Sequence, residues 1–262
     1  MLCKRRTPEL PRSPSSHLLR VLGLSFAVAA GVGTMIGGGI LRTPASVLDQ
    51  VPLPWLALLL WAFAGFHALL GANIISEVMT SVPKSGGLFN VARAAFGEFG
   101  ALLVGWTDWL IGMAAMAALS IACGEFLALI VPDLKPYAVS VGAAVAVFLF
   151  LLNCIGVQEG RLIQLGTSAA KGILLLALII MLFLWRPDAA PAEASASVAA
   201  PISFFGIVVA YQLIVGAYAG WPNVSYFAEE NANPRRNIPR GLFTSILSVM
   251  AIYLLMNAAQ HR

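Results

Sequence analysis

The stretch from Gly31 to Thr43 reads GVGTMIGGGILRT, and five of its thirteen residues are glycine. The chemistry such a run offers belongs to the backbone. Glycine weakens a helix interior by about 1 kcal/mol relative to alanine, so a break is expected here. A half-helix beginning near Gly38 turns free N–H groups and a positive dipole end into the gap, where an anion such as a carboxylate can reach them past the absent Cβ atoms of Gly37, Gly38 and Gly39. The preceding half-helix ends near Met35 and Ile36, and its free carbonyls suit an ammonium group or a cation. One gap can therefore hold a zwitterion. The competing reading is close packing, because glycines at GxxxG-like spacing also let membrane helices approach.

The element carrying this run has to cross a bilayer. Of 262 residues, 59% are hydrophobic and 11% charged, with a mean hydropathy of +0.85, more apolar surface than one soluble core can absorb. Helical spans of roughly 20 apolar residues are predicted near 21–41, 54–80, 100–131, 137–153, 161–185, 202–228 and 241–259. The runs are continuously apolar, which excludes the alternating strands of a membrane β-barrel. The first is too long for a secretory signal and lacks its small-residue cleavage site. A pI near 9.2 raises the question of nucleic acid, but the bases are dispersed among loops. With the N-terminus inside, eleven of the sixteen Lys and Arg residues fall on the cytoplasmic side and four outside, with Lys171 within a span, a positive-inside bias. Residues 1–20, with Pro8, Pro11 and Pro14, read as a disordered cytoplasmic tail. Asp188 to Pro201 reads as a flexible outer linker.

A second interruption tips the choice between packing and a broken helix. In the sixth span, LIVGAYAGWP from Leu213 to Pro222 again sets Gly216, Gly220 and Pro222 in apolar sequence. That span crosses in the opposite direction to the first. Interrupted spans in corresponding positions of two inverted halves point to a central binding site. Elsewhere, Lys171 lies about ten residues into the fifth span, where an unpaired charge costs at least about 2.5 kcal/mol, so a buried role is expected. Asp108 and Glu125 stand near opposite ends of the third span and are expected to reach the interfaces, as is Glu77. His67 and Asn73 read as interhelical hydrogen-bond partners. The three cysteines, Cys3, Cys123 and Cys154, have no paired spacing. No HExxH, CxxC or GxSxG occurs, and the scattered carboxylates suggest no metal cage. No cofactor and no catalysis are expected.

Taken together, GTMIGGGIL, PKSGG at Pro83 to Gly87, TSAAKGILLLALII around Lys171, and AYAGW followed by EENANPRRNIPR resemble the amino acid, polyamine and organocation permeases, nearest the L-type branch. The resemblance implies an all-α membrane fold of LeuT type, an inverted-repeat bundle with the first and sixth spans unwound. The transmembrane domain is then 21–262, its first five-helix repeat about 21–185 and a partial second repeat about 202–259. It implies that Gly38 and Gly39 take a substrate carboxylate. Carbonyls of Met35 and Ile36, with the unwound Val215, Gly216, Ala217 and Ala219, would take the amino group, and Tyr218 would act as an aromatic gate. Lys171 would tether the broken helices in place of sodium or as a proton-linked switch. The implied activity is secondary transport of neutral amino acids across the cell membrane, as exchanger or proton-linked permease, with amino acid, lipid bilayer and proton or counter-substrate as partners and no nucleic acid. Family members often carry Ser or Thr at the position of Gly38 and an acid at that of Ala219. They usually have about twelve spans, so truncation after the seventh is expected, and a non-transporting fragment is the alternative. A seven-helix receptor or retinal protein fits poorly, since its N-terminus lies outside and the seventh span here has no lysine.

Overall fold

A computed structural model describes residues 22–37, 39–81, 86–154, 157–184, 202–228 and 230–260. The expected N-terminal tail, the linker after Asp188, Gly38, and Pro83, Lys84 and Ser85 lie outside these. Eight α-helices follow in order: α1 Leu24–Met35, α2 Gly39–Gln50, α3 Pro54–Ser81, α4 Leu88–Ile130, α5 Ala138–Asn153, α6 Val157–Leu184, α7 Phe204–Tyr218 and α8 Pro234–Gln260. Short 3₁₀ segments occupy Pro132–Tyr137 and Trp221–Phe227. Among the described residues six helical spans are long and apolar enough to cross a membrane, and α1 with α2 makes a seventh if taken as one broken span. The chain is an integral membrane protein.

Two boundaries differ from the sequence reading. The first span runs on through Pro44 to Gln50 instead of stopping near Leu41, although Pro44, inside the helix, has no N–H to give to the ladder. The seventh begins at Pro234, seven residues before the apolar run, because the helix opens with a polar turn carrying Arg235, Arg236 and Arg240. That turn is built locally: Asn231 Oδ1 accepts the Asn233 N–H at 3.0 Å and the Asn237 amide at 2.8 Å. Leu22, at the entrance to the first span, pairs with Asn231 in a parallel bridge. The third span starts beyond a kink at Gly97, whose φ of 75° suits glycine.

The core lies where α8 packs on α3 and α1, α2 packs on α7, and α6 packs on α1. Trp61, Tyr218 and Tyr253 fill its centre. Small residues set these approaches: a Cβ on Gly241 would come within 2.6 Å of the Ala27 methyl, and Gly31 faces Ser245. On the far side α4 and α5 pair through Gly124 and Gly142, each against the other helix's backbone. Large apolar side chains such as Phe148, Leu174 and Leu129 stay exposed, as a lipid-facing surface requires.

Candidate functional site at the two helix breaks

The glycine run divides at Met35. Before it, Gly31 and Gly33 are packing residues: Gly33 fits against Ser168 and Gln164 of α6, and Ser168 donates to the Ala29 carbonyl at 2.8 Å. After it the helix stops. Ile36 caps α1, its N–H bonding the Val32 carbonyl at 2.8 Å with an extended ψ of 101°. The chain bends at Gly37 and α2 begins at Gly39. Both competing readings of GVGTMIGGGIL therefore hold, for different glycines.

In the sixth span the break lies later than the sequence suggested. Val215, Gly216, Ala217 and Tyr218 remain helical, and the Ala219 N–H closes the last turn on the Gly216 carbonyl at 3.2 Å. Unwinding starts at Ala219, with an extended ψ of 152°, and turns at Gly220, whose φ of 110° excludes most side chains. The expectation that Val215 to Ala217 unwind is corrected: their ladder continues until the extended ψ of Ala219 ends it.

The two breaks meet. A Cβ on Gly220 would lie 2.7 Å from the Thr34 carbonyl oxygen, and the Thr34 hydroxyl stands 3.0 Å from the Gly220 carbonyl. Gly39, opening α2, sits against Ala217, with 3.4 Å from its Cβ position to the Ala217 Cα. By contrast nothing lies within 4 Å of the Cβ positions of Gly37 and Gly216, so backbone is approachable there. This is the geometry in which a helix N-terminus and nearby carbonyls can hold opposite charges.

Tyr253 of α8 ties the two breaks together, a residue the sequence reading passed over. Its hydroxyl donates to the Met35 carbonyl at 2.8 Å and lies 3.1 Å from the Ala217 carbonyl. Met35 is thus satisfied by a side chain here rather than free. Tyr218, the residue the resemblance places beside the pocket, is buried, donates to the Trp61 carbonyl at 3.3 Å, and packs its ring 5.1 Å from that of Tyr253. A helical residue one step before the break points into the core. Lys171, midway along α6, donates to the Gly33 carbonyl at 3.1 Å, two residues before the end of α1. His67 pairs with Tyr211 between α3 and α7 at 2.9 Å, whereas the Asn73 side chain is exposed. No cluster suited to a metal ion occurs among the described residues.

Residues 22–260 match the amino acid permease family. The chain belongs to that family. It is 31% identical to the serine/threonine exchanger SteT of Bacillus subtilis over 92% of this chain and 55% of that protein. It is 32% identical to the mouse b(0,+)-type amino acid transporter 1, over 94% of the chain and 52% of the relative. With the human large neutral amino acids transporter small subunit 2 it shares 30% identity, over 92% of the chain and 47% of the relative. The chain spans about half the length of the curated relatives it matches. An all-helical bundle with an interrupted first span fits the LeuT-type fold of these permeases.

Proposed function

We propose that this permease chain carries the substrate site for secondary transport of neutral amino acids across the cell membrane, by exchange or with a proton, with its N-terminus cytoplasmic. The observation that carries this is the meeting of both breaks at one point, with approachable backbone at Gly37 and Gly216 beside the N-terminus of α2. The carboxylate sits on the N–H groups of Gly37, Gly38 and Gly39. The ammonium group takes carbonyls from Ile36 and the end of α7, competing with the Tyr253 hydroxyl for those of Met35 and Ala217. Val215, Gly216, Ala217 and Ala219 supply no charge, which suits an apolar substrate side chain. Lys171 holds the end of α1 in register with α6, and its protonation is the switch in a proton-linked cycle. The exchanger and transporter names of the relatives support the same class.

The test is calorimetric binding of leucine, leucine methyl ester, arginine and glutamate to the purified chain in detergent or nanodiscs. Leucine should bind, the ester at least tenfold more weakly, and the charged amino acids least. Equal binding of acid and ester would overturn the backbone carboxylate site.

A further inference from the structure

Asp108 and Glu125 contribute nothing to the gap, yet each holds a group from one of the broken spans. Glu125 of α4 accepts from Arg42 of α2 at 2.9 Å, and the Arg42 guanidinium also lies 4.8 Å over the Phe126 ring. Seventeen residues earlier on the same helix, about 25 Å away at 1.5 Å per residue, Asp108 accepts from the hydroxyl of Tyr226. The Tyr226 ring fits where Gly87 leaves room, 2.7 Å from that glycine's Cβ position. Arg42 belongs to the half of span one beyond its break. Tyr226 likewise belongs to the half of span six beyond its break. Each contact therefore joins α4, which is paired along α5, to a segment connected to its own other half by a non-helical joint.

We infer that α4 is a post bearing two latches, Glu125 closing the Arg42 half of span one over the gap and Asp108 closing the Tyr226 half of span six. Releasing one latch at a time opens the gap to one face of the membrane, which rests on reading the gap as a transport site. The latches are unequal. The Arg42 and Glu125 side chains are each about half exposed, at 55% and 52%, and such a pair is weakened by water. The Tyr226–Asp108 bond is partly buried, where a charge-assisted hydrogen bond is stronger. The Arg42 latch is the one that opens more readily.

The experiment measures cysteine accessibility in the full chain, in sealed vesicles of both orientations, with Cys3, Cys123 and Cys154 replaced by serine. A membrane-impermeant thiosulfonate reads Ser225→Cys, buried in the Tyr226 segment, or Ala217→Cys, covered by Gly39 of α2. Tyr226→Phe should speed labelling at Ser225→Cys about tenfold, from one face, with Ala217→Cys unchanged from the other. Glu125→Gln should do the converse by about threefold, and the charge exchange Arg42→Glu with Glu125→Arg should restore the slow rate. Unchanged labelling in both variants, both reporters rising alike as general loosening would produce, or no restoration by the exchange would overturn the latches. No substrate enters the assay, so a failed binding measurement and a failed latch are separate results.

Discussion

The first and sixth spans are both interrupted, but by different means. Span one spreads five glycines over thirteen residues and uses the early ones to pack and the late ones to end a helix. Span six achieves its break with one left-handed residue, Gly220, followed by a 3₁₀ turn through Trp221–Phe227. Gly216, four residues earlier, stays helical. Glycine content thus marks where backbones come close, whereas a break needs a backbone angle that ends the ladder and a partner for the carbonyls it frees. Those partners come from neighbouring helices: Lys171 for Gly33, and Tyr253 for Met35 and Ala217.

The severest test of that contrast is Gly220→Ala. At φ 110° a side chain stores about 1–3 kcal/mol of strain, and its Cβ would also press on the Thr34 carbonyl. A fall of about 3 kcal/mol or more is expected, read as loss of monodisperse protein in size-exclusion chromatography. Near-normal yield would mean that the breaks do not meet as described.

Tyr253→Phe is the next largest. It keeps the ring beside Trp61, with centroids 5.3 Å apart, and removes the hydroxyl from two buried carbonyls. Leaving such acceptors unpaired costs about 1–3 kcal/mol, so a clear drop in the thermal midpoint is expected. Under the proposed function, amino acid affinity should change as well, because those carbonyls become available to the ammonium group. A variant as stable as the parent would show that the tie is dispensable.

Gly39→Leu follows, with an effect of about tenfold on binding, which is about 1.4 kcal/mol. The side chain would grow from a position 3.4 Å from Ala217, at the proposed carboxylate end. Insertion and yield should survive. Gly23, where a Cβ meets nothing within 4 Å, supplies the control: Gly23→Leu should leave binding unchanged.

Much of this was legible beforehand. The seven spans followed from hydropathy, and the break after Met35 from Gly37 to Gly39. What stayed hidden depended on partners distant in sequence. Tyr253 sits in AIYLLMN as one aromatic residue among apolar ones, and its role exists only because α8 crosses both breaks. The resemblance implies a gating place for Tyr218, but the helix continues through the Val215–Ala217 stretch expected to unwind, and Tyr218, its last residue, lies buried against Trp61 and Tyr253. Asp108 and Glu125 were read as interfacial from their spacing. Their partners, Tyr226 and Arg42, lie 118 and 83 residues away.

The smallest effect sharpens the comparison most, because it sets two glycines of one span against each other. Gly216 is helical, and its Cβ position is free of neighbours within 4 Å. Gly216→Ala therefore adds a methyl at no steric cost and restricts the unfolded chain, which should stabilise by about 0.4–1 kcal/mol. Four residues on, the same substitution at Gly220 should destabilise. Paired thermal unfolding in detergent would show the opposite signs. If Gly216→Ala raises the midpoint yet weakens leucine binding, the open side of Gly216 faces the substrate. Equal binding with a raised midpoint would confine the ligand to the span-one side, where Gly37 leaves backbone exposed. A lowered midpoint would mean that span six already unwinds at Gly216, and the distinction between its two glycines would fail.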